Sequence, residues 1–349
     1  MKKQADKDVF SKRLKSARIL ARLTQEELAS QVDITKNAIS KYEKGEMMAE
    51  PGMLKKLSET LKVAYDYLTR PFDVEFVKVE FRKKTRLPKT EEYAIGEQIR
   101  IQVENYLQTE EILNIDYTFD HPFPGARVRT KEDMEKYAQL LIENWHLGIN
   151  GIPSVYRMLE DNEIKVIELT ASTDFDGWSA LANGKYPVIV INSNITTERK
   201  RFTAIHELAH LLFDFDESLS DSDTEKLCHY FAGAVLLPET MMYRLFGTSR
   251  VKISDSERRM MNKTYGISHQ AFMYRALELK IIKPYTYQQF QYLIRNDRQE
   301  KALSLYQGEE KAVRFLSLIY RAIAEDYVTL GKAAELSGLP EEELAEVLN

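Results

Sequence analysis

From Phe10 to Leu68 the apolar residues recur at the three- and four-residue spacing that turns one side of a helix inward, with breaks near Leu23, Asp33 and Gly45. The pattern predicts a compact unit of short helices that Pro71 closes. A longer helical pattern runs from about Glu91 to Leu113, and an amphipathic helix follows the loop after Phe123 and reaches Ile142. Ile164 to Leu169 and Pro187 to Asn192 are rich in Val and Ile and read as strands. A helix then starts near Glu198, an acidic loop spans Asp214 to Asp223, and a second helix from Thr224 to Leu237 stops at Pro238. The remainder reads as helical throughout. No fixed-period repeat or low-complexity tract interrupts this order.

At 349 residues the chain exceeds one ordinary domain, and its 44% hydrophobic content is ample for real cores. The net charge of -5 argues against wholesale coating of nucleic acid. Its distribution is uneven: residues 1–70 hold fifteen Lys and Arg against ten Asp and Glu. A DNA contact therefore belongs at the N-terminal end. The stretch from Asp73 to Lys89 carries Arg82, Lys83, Lys84, Arg86 and Lys89, a cluster read as a solvated linker ahead of a second DNA contact. Cys228 is the only cysteine, which excludes an internal disulfide and a thiolate zinc finger and favours a reducing compartment. The charged start, Met1 to Phe10, and the lack of a long apolar run make export and membrane insertion unexpected, so a cytoplasmic protein with no membrane partner is expected.

Thr24-Gln25-Glu26-Glu27 is a capping box, with Leu23 and Leu28 placed as a hydrophobic staple. The arrangement recurs eleven residues later at Ile34, Thr35 and Ile39, so two short helices joined by a tight turn are expected, with small Ala29 permitting close packing. In a helix-turn-helix the second helix enters the major groove by its N-terminal side chains. Thr35, Lys36, Asn37, Ser40 and Lys41 occupy those positions. The sequence here resembles the phage-repressor-like (XRE) helix-turn-helix family through Thr24-Gln25-Glu26-Glu27-Leu28-Ala29 and Ile39-Ser40-Lys41-Tyr42-Glu43-Lys44-Gly45. The resemblance implies double-stranded operator DNA as a partner, Gln25 as a phosphate or base contact, and a structural Glu43. Asp33 stands where that family often has glycine, a substitution Asp tolerates because it enters the left-handed region readily. Regulators of this kind often read palindromes as homodimers, although no residue here specifies one.

His206-Glu207-Leu208-Ala209-His210 sets two imidazoles one helical turn apart, so both project from one face toward a single ion with Glu207 alongside. Zinc suits two neutral imidazoles and a carboxylate, with a fourth position left for water. The third protein ligand must come from elsewhere, and the helix from Thr224 offers both Glu225 and His229 one turn apart. The run Arg201 to His210, then Glu225, Cys228, His229, Phe231 and Ala232, then Leu236-Leu237-Pro238, resembles the ImmA/IrrE metallopeptidase family. The likeness extends more weakly over 124–285, including Gly177-Trp178-Ser179 and the strand through Ile189, Ile191 and Asn192. It implies Glu225 as the third ligand and leaves His229, where the family usually has asparagine, an oxyanion-stabilising or supporting role. Asp214 and Cys228 also depart from the family's histidine and alanine. The implied chemistry is metal-assisted amide hydrolysis in which Glu207 takes the proton of the attacking water and passes it to the leaving amine. The strand through Val188 to Ile191 is either an edge to which an extended substrate adds or simply core.

Tyr265-Gly266-Ile267-Ser268 opens a helix that resembles the end of peptidases of this family. Leu330 to Leu348, with Ala333, Ala334, Leu336, Leu339 and Leu344 around a Gly-Leu-Pro turn, reads as a packing unit ahead of a partner-binding element. The expected fold is mainly α with an α+β catalytic domain. A five-helix-type helix-turn-helix domain (1–70) precedes a linker and connecting helix (71–123), a zincin-like domain (124–285) and a helical C-terminal region (286–349). Two functions compete. One is a DNA-binding regulator whose zinc endopeptidase cleaves a repressor or other regulatory protein, itself included, in a stress, phage or mobile-element response. The other is an antitoxin or autorepressor whose peptidase-like domain mainly grips a toxin. Zinc held only structurally is the weaker third reading, since Glu207 has no purpose in a closed site.

Overall fold

The computed structural model describes residues 2–71, 74–77, 89–172, 174–296 and 304–347, and the basic cluster at Arg82, Lys83, Lys84 and Arg86 lies outside them. The fold is mainly α with a few short strands, as the apolar spacing predicts. It divides into two units, one drawn from 1–75, 86–116 and 315–349, the other from 76–85 and 117–314. No helix among the described residues is long and apolar enough to cross a membrane.

In the first unit, α1 (Lys2–Leu20), α2 (Gln25–Gln31), α3 (Lys36–Glu43), α4 (Pro51–Leu61) and a 3₁₀ turn at Asp66–Leu68 close around Phe10, Leu14, Leu28, Val32, Ile39 and Leu57, all fully buried. The two helix starts form as their caps dictate. Thr24 Oγ1 accepts from Glu27 N while Glu27 answers to Thr24 N, and Thr35 Oγ1 accepts from Ala38 N. Between them Asp33 takes φ +54°, the left-handed turn that the sequence assigns to it, and its carboxylate receives Lys56 at 2.6 Å. Helix α5 (Lys89–Ile112) packs on α1 through a buried Arg13–Glu104 ion pair at 2.8 Å. The same guanidinium donates to the carbonyls of Arg70 and Pro71. Three C-terminal helices, Arg314–Ala324, Leu330–Ser337 and Glu341–Val347, bury Ile319, Ala333, Leu336 and Leu344 together, with Ile112 of α5 against them. Packing is thus what the apolar stripe of the last twenty residues does here.

The second unit is built on a four-stranded sheet in the order β1 (Phe76–Val77), β4 (Gly177–Ala182), β5 (Tyr186–Asn192), β3 (Lys165–Leu169). Strands β3 and β5 are parallel, whereas β4 is antiparallel to both β5 and β1. The strand through Val188 to Ile191 is therefore core and no edge, since β5 is paired on both sides. Its unbroken apolar run is the mark of a strand covered on both faces. A second, two-residue ladder joins β2 (Arg127–Val128) to β6 (Asp214–Phe215), so the acidic loop begins as a strand.

Helices α6 (Lys131–Asn144), α7 (Val155–Asp161), α8 (Thr197–Leu212) and α9 (Asp221–Leu236) lie on this frame, and α10 (Glu239–Phe246), α11 (Asp255–Tyr265), α12 (His269–Glu278) and α13 (Pro284–Asn296) complete it. Helix α8 comes very close to β4: a Cβ on Gly177 would stand 2.6 Å from Thr203 Cγ2 and 3.1 Å from Val190 O. Only glycine fits there. Behind α8, Arg201 pairs with fully buried Glu310, which also accepts from Ser154 Oγ and from the amides of Val155 and Tyr156 at the start of α7.

Glu310 belongs to an extended strap, residues 304–313, where the sequence reads as helical. Three of its amides go to side-chain acceptors: Leu305 N to Asn262, Ala312 N to Glu168, and Val313 N to Glu160. Satisfied elsewhere, they have no need of a helical ladder.

Candidate metal centre and DNA-reading helix

Helix α8 presents His206 and His210 on one face, and α9 crosses it with Glu225 opposite. Glu225 Oε2 lies 3.7 Å from His206 Nε2, and Glu225 Oε1 lies 3.6 Å from His210 Nε2. One ligand atom from each of the three falls within 4.8 Å of the others. A tetrahedral ion with bonds of about 2.0–2.2 Å holds its donors about 3.3–3.6 Å apart, so the set fits zinc with little adjustment. His229 is not part of this set: its ring lies against that of His206, centroids 4.4 Å apart, with Phe202 stacked at 5.9 Å.

Glu207 is buried and turned toward β4, where Ser179 Oγ donates to its Oε2 at 2.8 Å. A role for Ser179 was not legible, because Gly-Trp-Ser-Ala-Leu-Ala has little strand propensity and gives no sign that it runs beside α8. Alternation along β4 would have been the signal, with Gly177, Ser179 and Leu181 on one face. Cys228, one turn beyond Glu225, approaches the other nitrogen of His210, with Sγ 3.8 Å from Nδ1. In front of the centre opens a cleft of about 870 Å³ lined by Ser179, Leu181, His210, Phe213, Phe215 and Arg127 among others.

Residues 160–277 match the family model of the IrrE N-terminal-like domain, and residues 14–68 match the helix-turn-helix model. The chain joins a helix-turn-helix domain to a peptidase-like IrrE N-terminal-like domain. A comparison with curated proteins gave no match. Within the IrrE N-terminal-like domain, the matched stretch holds β4, β5, α8 and α9, and with them every donor described above.

In the helix-turn-helix domain, α3 exposes Thr35, Lys36, Asn37 and Lys41, with Ser40 half-buried beside them. Thr35 spends its hydroxyl on the cap, and Lys36 reaches Glu26 at 3.3 Å on the open surface. Gln25 is half-buried, its amide donating to Glu43 at 2.7 Å, while Arg18 takes the same carboxylate from α1. Glu43 thus ties α1, α2 and α3 together, the structural part the resemblance gives it.

Proposed function

We propose that this chain is a cytoplasmic DNA-binding regulator with a zinc-dependent endopeptidase activity that cleaves a repressor or other regulatory protein, its own chain among the candidates, in a stress, phage or mobile-element response. The observation that carries the reading is the approach of the Glu225 carboxylate to both imidazoles beside a buried, hydrogen-bonded Glu207. His206, His210 and Glu225 would hold the ion, and Glu207, beside His206 in sequence and hydrogen-bonded to Ser179, would be the acid-base group. When bound, zinc supplies the Lewis acidity that polarises a scissile carbonyl and acidifies water. A closed structural site would need a fourth protein donor and would leave Glu207 idle.

The chain's own residues do the rest. Glu207 takes a proton from the attacking water on its carboxylate and delivers it to the departing amine, with Ser179 fixing which way the carboxylate points. His229, whose ring lies against that of His206, would either donate toward a developing oxyanion or support that ring. The cleft past Leu181 and Phe215 receives the polypeptide. On DNA, Lys36 and Lys41 supply charge while Gln25, Thr35, Asn37 and Ser40 line the reading edge.

The test measures zinc content and cleavage of candidate repressors, and of the chain itself, in wild type and Glu207→Gln. Zinc in both with cleavage in wild type alone is expected. Zinc in both with no cleavage anywhere would overturn the peptidase and turn the search to a gripped partner such as a toxin. For DNA, Lys36→Ala and Lys41→Ala should each weaken duplex binding and shallow its salt dependence by roughly one ion.

A further inference from the structure

The outer edge of β4 is already partly occupied. Strand β1 is two residues long and antiparallel to β4, with Phe76 opposite Ala182 and Val77 opposite Leu181. Directly opposed residues share a face of the sheet, so Val77 stands on the face of Leu181 and Ser179. Those two side chains line the cleft beside His210, and Ser179 holds Glu207. Val77 is 50% exposed on that face. On the opposite face the Phe76 ring meets Trp178 edge-on, centroids 5.0 Å apart and planes at 88°. The pairing that the structure describes ends at Leu181, two positions along β4 from Ser179.

An extended polypeptide recognises a sheet edge by main-chain hydrogen bonds, and the side chains that alternate above and below supply selectivity. On β4 the edge that flanks the metal centre is the one on which β1 lies, because β5 takes the other. We infer that Phe76–Val77 is a built-in competitor for the outer edge of β4, the edge that would serve as the domain's peptide-docking rail. The rail takes an extended segment running antiparallel to β4, with an aromatic side chain laid on Trp178 and a small apolar one on the cleft face. Such a segment must displace β1 to engage Leu181 and Ala182. The occupant lies in sequence between the helix-turn-helix domain and α5. The inference rests on the endopeptidase reading for what happens to the docked segment, but the docking itself requires no hydrolysis.

The experiment uses the full-length Glu207→Gln chain, zinc-loaded, so that a bound peptide is not consumed. The probe is a fluorescein-labelled, end-blocked peptide with the sequence of residues 74–83, titrated by anisotropy. Two variants in this background release the competitor by different means: Val77→Pro removes a main-chain donor, and Phe76→Ala removes the ring on Trp178. Each should bind the probe roughly 3- to 10-fold more tightly than the parent, the span expected from losing one aromatic pair. A probe in which both phenylalanines are alanine should lose the gain. Circular dichroism and zinc content identify any variant that fails to fold, and the other variant then carries the test. Equal affinity for parent and folded variants, or no binding to any, would overturn the rail. A gain in binding together with an absence of cleavage in the Glu207 comparison would keep the rail and remove the endopeptidase, so the two failures are distinguishable.

Discussion

The two nitrogens of the His210 ring face two residues of one helix: Nε2 meets the Glu225 carboxylate at 3.6 Å, and Nδ1 meets Cys228 Sγ at 3.8 Å. Glu225 and Cys228 are one helical turn apart, so a single orientation of α9 sets both. The thiol, buried and the chain's only one, therefore limits how the imidazole can rotate. Groups that orient a ligand histidine are commonly worth about 10- to 100-fold in metal affinity. Since a thiol is a weak hydrogen-bonding partner, Cys228→Ala should weaken zinc binding by only about 3- to 10-fold, measured by competition with a chromogenic chelator. Unchanged affinity would show that packing alone holds the ring.

Ser179 provides a cleaner separation of roles. Its hydroxyl donates to Glu207, which is not one of the three proposed metal donors. Ser179→Ala should leave zinc content and KM close to wild type while lowering kcat by about tenfold, a share of the 10²–10⁴ that general-base catalysis supplies. Restored kcat in Ser179→Thr would support positioning through the hydroxyl. A rise in KM without loss of kcat would instead place the serine among the substrate contacts.

At Gly177 the constraint is steric. A methyl group there meets Thr203 Cγ2 at 2.6 Å, so Gly177→Ala should cost about 1–3 kcal/mol and lower the melting temperature. Thr203→Ser deletes that methyl. The double variant should therefore recover part of the loss, and simple additivity in thermal melts would refute the contact as the cause.

Glu310 carries a different kind of risk. It satisfies Arg201 and two amides at the start of α7 away from water, and the half-buried Ser154 hydroxyl besides. Glu310→Ala leaves a buried guanidinium without its countercharge, and urea unfolding should reveal a loss of about 3–5 kcal/mol. Arg201→Met added to it should cost less than the sum of the two single changes, because the stranded charge disappears.

Acid should weaken the cap at the start of α6. The amide of Arg129 donates to Asp133, as does that of Thr130, and these bonds hold the carboxyl below the usual aspartate range. A folded-state pKa depressed in this way contributes stability that is whole above the unfolded value, near 3.9, and is lost as pH falls through the lower, folded one. Wild type should thus lose more stability between about pH 5 and pH 2 than Asp133→Ala, in urea midpoints taken across that range. Parallel curves for the two proteins would remove Asp133 from the acid response.

The parts of this molecule written in local chemistry were legible. Thr24, Glu27 and Thr35 specify helix starts whatever surrounds them, and the interval from His206 to His210 fixes two rings on one face. Glu225 and His229 could not be separated by spacing, because the crossing angle of α8 and α9 decides which one turns to the histidines. Strand β4 escaped notice for a related reason. Its glycine, serine and two alanines are chosen for the closeness of α8, at the expense of strand propensity. The strap at 304–313 reads as helical because its alternatives are long-range: its amides bind side chains that lie far away in sequence. Strand β1 has no pattern at all in two residues.

The N-terminal helices, α5 and the three C-terminal helices belong to one unit, while residues 76–85 and the chain between α5 and those last helices build the other. The polypeptide therefore leaves the first body and returns to it twice. A single break in the connection between the 3₁₀ turn and α5 would not set the helix-turn-helix adrift, since α1 stays clamped to α5 by Arg13 and Glu104. One scission would open the covalent path yet leave the assembly whole. Its dissociation would then run at the pace set by a buried ion pair and the apolar faces around it.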